Sequence, residues 1–154
     1  MVTKQRLFAV LSVACFASAF AASKDKQLVN TDTNGVALHG YDPAAYFTEH
    51  AAVKGEDRYR ASYNGATYYF ASDANQKLFQ KDPAKFAPQY GGYCAMAVSM
   101  GQLEDADPTM FVVHQDKLLV QRNEKAHQMF MSNVDANHRR ADQQWPALVE
   151  KNGK

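Results

Sequence analysis

The sequence predicts an α+β fold: small antiparallel hairpins at about residues 59–71 and 110–122, packed with short helices and closed by a C-terminal helical tail. Three observations predict it. Asn64-Gly65 stands between the alternating runs "RYRASY" and "ATYYF", and Asn-Gly is the preferred pair for a two-residue hairpin turn because both positions need positive φ. Asp-Pro pairs at 42–43, 82–83 and 107–108 punctuate the chain in the way that short helices are started and stopped. The tail "NEKAHQMFMSNVDANHRRADQQWPAL" carries Met129, Phe130, Val134, Ala141 and Trp145 at helical spacing. No repeat or low-complexity linker divides the chain, so one domain over 36–150, with the helical tail as its extension, is expected.

The elements follow in order. Lys4 and Arg6, the apolar run "LFAVLSVACFASAFA" and small residues near Ala21 predict a signal peptide over 1–21. A lipoprotein anchor at Cys15 fits less well, because Ser12 stands where an aliphatic residue is usual. The mature chain is then expected to be soluble, periplasmic or secreted, and without a transmembrane span. Residues 22–35 are polar and read as a flexible lead-in. In the first hairpin the register sets Tyr63 opposite Ala66, Ala61 opposite Tyr68 and Tyr59 opposite Phe70, which puts the aromatics on one half-buried face. Ser72 caps a short helix, "DANQKLFQK", with Ala74 and Leu78 one turn apart, and Asp82-Pro83 ends it and starts "PAKFA". "MFVVHQDKLLVQR" reads as the second hairpin, turning near Gln115-Asp116-Lys117. The tail is expected to break near Asn133 and to end at Pro146.

Charge excludes some partners. Loss of residues 1–21 removes Lys4 and Arg6 and no acidic residue, which takes the formal charge from +1 to −1. A near-neutral chain carries no electrostatic footprint for nucleic acid. The cysteines are more telling. Cys15 leaves with the signal, so Cys94 is the single thiol of the mature chain and an internal disulfide is impossible. A lone thiol in an oxidising compartment calls for burial, metal ligation or pairing with another chain.

"YNGATYYFAS", the short helix with Phe79, and "KDPAKFAPQYGGYCA" together resemble the YHS domain family, and "HGYDPAAYF" resembles the start of its stand-alone, exported bacterial branch. The resemblance runs from about Gly40 to Cys94, with a looser continuation to Trp145. It implies a small α+β module with a metal-handling role, since YHS domains accompany heavy-metal transport ATPases and some oxygenase components and are taken to bind metal.

The residues around Cys94 carry their own chemistry. If the segment after Tyr93 is extended, Cys94 and Met96 share a face; if it is helical, Met96 and Met100 align one turn apart. Either arrangement gathers sulfur, which suits a copper ion in its Cu(I) state. His39 and His114 are the imidazoles that would complete such a site, while His50, His127 and His138 sit among polar residues and read as surface. The same Cys94, Met96 and Met100 also read as ordinary core residues. Gly91-Gly92 fit either a tight turn or a close approach of backbone. The expected function is non-enzymatic binding or delivery of a soft ion in the cell envelope, where another envelope protein is a possible partner. The alternative is a metal-free module in which the aromatic hairpin and the Gly-Gly-Tyr-Cys loop bind a small molecule or a protein. A thiol enzyme with Cys94 as nucleophile is the third class; without a Cys-x-x-Cys motif it is not a disulfide exchanger.

Overall fold

The computed structural model describes residues 25–154; the expected signal peptide and Cys15 lie outside the described residues. Among those residues are two separate two-stranded antiparallel sheets and six α-helices, an α+β arrangement built on two hairpins.

The first hairpin pairs β1 (Glu56–Tyr63) with β2 (Ala66–Phe70). Its turn has Asn64 at φ 50° and Gly65 at φ 79°, as the dipeptide requires. Tyr63 faces Ala66 and Ala61 faces Tyr68, but the expected Tyr59–Phe70 pair does not form: Phe70 pairs with Glu56, and the register shifts between Glu56 and Arg60. A bulge on this solvent-facing strand is the reason, because extra residues on one strand displace every pair beyond them. Ala66, Tyr68 and Phe70 are buried along β2.

Ser72 caps α2 (Asp73–Lys81), accepting from the Asn75 amide at 3.1 Å. The buried face of α2 is Asn75 and Phe79, not the expected Ala74 and Leu78; Leu78 is 40% exposed. Aromatic packing decides the rotation, since the Phe79 ring lies 5.0 Å from that of Tyr68, 5.1 Å from Phe70 and 6.0 Å from Tyr63. Asp82 stops α2 and caps α3 (Pro83–Phe86) through the Lys85 amide.

Asp42 does more than punctuate. It is fully buried; Oδ1 accepts from the Ala44 and Ala45 amides, while Oδ2 accepts from the Ala71 amide and Asn75 Nδ2, both at 2.8 Å. One carboxyl group thus joins α1 (Ala45–Thr48), the end of β2 and the start of α2. Asp107-Pro108, by contrast, opens a strand rather than a helix.

The second hairpin pairs β3 (Asp107–His114) with β4 (Lys117–Gln121), turning through Gln115 at φ 52° and Asp116 at φ 56°. Both faces of β4 are buried, which explains its unbroken apolar run. Leu118 and Val120 pack with Leu38, Tyr46 and Ala106, whereas Leu119 joins the cluster of Cys94, Met96, Ala126, Phe130 and Ala141. That second cluster lies among α4 (Ala95–Ser99), α5 (Glu124–Met131) and α6 (Val134–Asn152).

The tail breaks where expected, with the Asn133 side chain capping α6 at the Ala136 amide. Pro146 does not end it: α6 continues to Asn152. The carbonyl four residues back belongs to exposed Asp142, where water can satisfy it, so the missing N–H is tolerated. Pro146→Ala is therefore expected to stabilise the fold by about 1–2 kcal/mol, below the full interior-proline cost because the native helix has already accommodated the ring. Thermal unfolding would read a rise of a few degrees; a fall would show that the ring packs usefully.

The lead-in, expected to be flexible, is tied down from Asp25 onward. Gln27 and Lys154 exchange backbone hydrogen bonds at 3.0 Å, and the Asn30 amide donates to the Gly91 carbonyl at 2.9 Å. Gly91 needs its missing side chain for two reasons: its φ is 59°, and a Cβ would run into the Leu28 carbonyl and Val29 Cα. Turn and close approach, the two readings of the glycine pair, both hold there.

Candidate functional site

Cys94 is the N-cap residue of α4, so the helical arrangement of the two following methionines is the one realised. Its amide donates to the Glu104 carbonyl and its carbonyl accepts from the Val98 amide, both at 2.9 Å. These bonds fix the backbone on both sides of the sulfur. The residue is only 1% exposed, yet it lines a cavity of about 230 Å³ together with Met96, Met100 and Met129. Met96 is buried, whereas Met100 and Met129 are 55% and 44% exposed. One thiol and three thioethers therefore run from the core to the surface in a single pocket.

The polar rim has its own order. Glu104 and Arg122 line the same cavity and form an ion pair at 2.7 Å. The hydrogen bond to Glu104, and then its charge, raise the Arg122 guanidinium above its ordinary value, and the sulfur of Cys94 adds a smaller contribution. Gln121, fully buried on β4, stands on the same strand face as Leu119 by strand alternation. Its Oε1 lies 3.0 Å from His127 Nδ1, while its Nε2 lacks a partner among the described residues. A buried donor without an acceptor costs about 1–3 kcal/mol.

No histidine lines this cavity. His39 sits in the left-handed region at φ 49° and points Nε2 at Asp105, 2.8 Å away. Burial pushes the Asp105 carboxyl up, but bonds from Asn30, His39 and the Ala106 amide outweigh it and hold the group below its usual range. His39 belongs to a shallow neighbouring depression that shares only Arg122 with the sulfur pocket. His114 is engaged with His138, their Nδ1 atoms 3.0 Å apart. Cys94 and Met96 are thus brought together, and neither His39 nor His114 joins them.

Two residues escaped the sequence reading. Met129 was assigned to an apolar stripe, and the rotation of α5 that exposes it depends on Phe130 taking the core position. His138, expected at the surface, is 6% exposed. Burial holds its imidazole below the ordinary range; Asp142 and Asp135 push it back up, while His114 and Lys117 add to the lowering. Among the described residues, no three histidine, cysteine, aspartate or glutamate side chains converge to hold a metal ion, so a soft-ion site here must draw on thioethers.

Fold and pocket together define a small α+β module whose aromatic hairpin precedes a sulfur-lined cavity. Residues 44–90 match the family model described as YHS domain. The match ends at Tyr90, so Cys94 and every methionine of the cavity lie beyond it. No curated protein and no solved structure matches the chain. Among the described residues, no helix is long and apolar enough to cross a membrane.

Proposed function

We propose that the protein binds and hands on a soft metal ion, Cu(I), in the cell envelope, without catalysing a reaction. The observation that carries this reading is the donor set of the cavity: Cys94 inside, Met96 beside it, Met100 and Met129 at the mouth. Thiolate and thioether ligands select Cu(I) over Zn²⁺ or Mg²⁺. Flexible, exposed thioethers suit capture and release, because each can swing toward a donor protein and back. The match of residues 44–90 to the YHS domain, which is linked in general to copper-type metal binding, supports the same reading.

The test is a Cu(I) titration of the reduced protein against a chromogenic chelator. Cys94→Ala is expected to weaken binding by about a hundredfold, equivalent to about 2.7 kcal/mol, and Met129→Leu by about tenfold. Equal, weak binding by wild type and Cys94→Ala would remove the proposal.

A second reading rests on a different cavity. A groove of about 490 Å³ is lined by Tyr63, Tyr68, Tyr90, Gly91 and Trp145, the aromatic hairpin and the glycine loop together. That volume suits a small ligand with both aromatic and polar surface, since Lys26, Gln89 and Glu150 share the lining. Trp145 is the sole tryptophan, so its fluorescence reports occupancy directly. A ligand that shifts this emission without displacing copper would separate the two functions.

A further inference from the structure

The groove of about 490 Å³ between the first hairpin and α6 has one buried hydroxyl that the fold leaves unused. Three tyrosines are buried among the described residues: Tyr46, Tyr68 and Tyr90. Tyr46 donates its hydroxyl to the Pro108 carbonyl at 2.9 Å, and Tyr90 donates to Asp142 Oδ1 at 2.8 Å. Tyr68, 1% exposed, has no such partner among the described residues. Burial, and after it the neighbouring Tyr63, raise its phenol above the ordinary range, and no hydrogen bond contributes. Among the same residues the sealed side-chain atom without a partner is Gln121 Nε2, so the Tyr68 hydroxyl is reachable, and the space it meets is the groove that Tyr68 lines. A buried phenol normally finds an acceptor. Here the acceptor has to come from outside the fold.

The walls suit a flat ring. Trp145 is held edge-on by Tyr90, with ring centroids 5.7 Å apart, and flanked by Tyr93 at 6.5 Å; Tyr63 is held by Phe79 at 6.0 Å. Trp145 and Tyr63 both line the groove and both stay half-buried, so part of each aromatic surface is left for an occupant. Their neighbours fix them before anything binds, which lowers the ordering cost of stacking. Leu28 and Val29 add an aliphatic side, pinned where the Asn30 amide donates to the Gly91 carbonyl at 2.9 Å. Charge at the rim disfavours an anion. Lys26 pairs with Glu150 at 2.7 Å, which leaves Asp25 as the uncompensated charge of the lining.

Resting on the second reading above, we propose that the groove takes an uncharged, flat aromatic compound bearing a carbonyl oxygen. Its ring lies against Trp145 and Tyr63, and its oxygen accepts a hydrogen bond from the Tyr68 hydroxyl. Burial holds that phenol in its neutral form, so Tyr68 is a donor throughout the physiological range. A carbonyl that replaces solvent at the hydroxyl keeps the bond, whereas a ring without an acceptor forfeits it. The hydroxyl therefore sets selectivity between rings of equal size more than it sets affinity. No residue of the groove lines the Cys94 cavity, so this ligand and Cu(I) do not compete for side chains.

Oxindole and indole test this, two flat bicyclic compounds of nearly equal size that differ by a carbonyl oxygen. Titration at millimolar concentration is followed by nuclear magnetic resonance at the indole N–H of Trp145, the sole tryptophan. Oxindole is expected to bind about tenfold more tightly than indole, and indole-2-carboxylate no more tightly than indole. Tyr68→Phe is expected to abolish the advantage of oxindole and leave indole binding unchanged. Its thermal midpoint should stay within about 1 °C of wild type, because the deleted hydroxyl bonds nothing in the fold. Tyr90→Phe is the control: it loses the bond to Asp142, so its midpoint should fall by a few degrees while the preference for oxindole persists. A preference that survives Tyr68→Phe, or equal binding of oxindole and indole by wild type, would overturn the proposal and leave the groove standing as a ligand site. Failure of all three probes to move the Trp145 signal would remove the second reading and this proposal with it.

Discussion

Asp42→Ala is expected to remove about 3–5 kcal/mol of folding stability. The carboxyl group accepts four hydrogen bonds from three elements, and alanine leaves all four donors without a partner in a fully buried position. At about 1–3 kcal/mol for each unsatisfied group the sum would be larger still, but water entering the space and local relaxation recover part of it. Since a small domain holds only about 5–15 kcal/mol in total, the variant should lie near the edge of folding. Urea denaturation would read the loss as a fall of about 2 M in midpoint. Asp42→Asn separates geometry from bulk. Its carbonyl can still accept from Ala44, but its NH₂ is turned toward the Ala71 amide and Asn75 Nδ2, both donors, so it should recover less than half of the loss. A loss below about 1 kcal/mol for alanine would mean that water replaces the carboxyl oxygens without penalty.

Gly91→Ala is the second large effect, at about 2–4 kcal/mol. Gly65→Ala is its control. Both glycines have positive φ, 59° and 79°, so both substitutions incur the left-handed penalty of about 1 kcal/mol. They differ in the space around the new methyl group: nothing lies within 4 Å of it at Gly65, while at Gly91 it collides with the backbone of Leu28 and Val29. The excess at Gly91 measures how firmly the lead-in is held. Hydrogen exchange at residues 25–31 should accelerate in Gly91→Ala and not in Gly65→Ala. Equal stability losses for the two variants would show that the lead-in moves aside freely.

What was legible in the sequence was local. Asn64-Gly65 specified its turn because two positive φ values in succession leave few alternatives, and Ser72 specified a helix start because a side-chain oxygen can reach an amide three residues on. What escaped depended on partners distant in the chain. The strand bulge that moves Tyr59 away from Phe70, and the Phe79 ring that sets the rotation of α2, answer to packing between elements. Pro146 obeyed its intrinsic preference in the expectation but not in the fold, because the carbonyl it leaves free belongs to exposed Asp142. The site was half legible. Cys94 and Met96 were found through short spacing, whereas Met129 reaches the same cavity from another helix and His138 meets His114 across 24 positions.

The clasp between Gln27 and Lys154, with Lys26 reaching Glu150 from 124 positions away, has a kinetic side. Contacts of such long range carry the greatest loop-closure entropy and form late. The hairpins and the Cys94 pocket draw on contacts nearer in sequence and can assemble before the two ends of the described chain meet. A refolding chain would therefore acquire its sulfur ligands before it acquires its clasped edge.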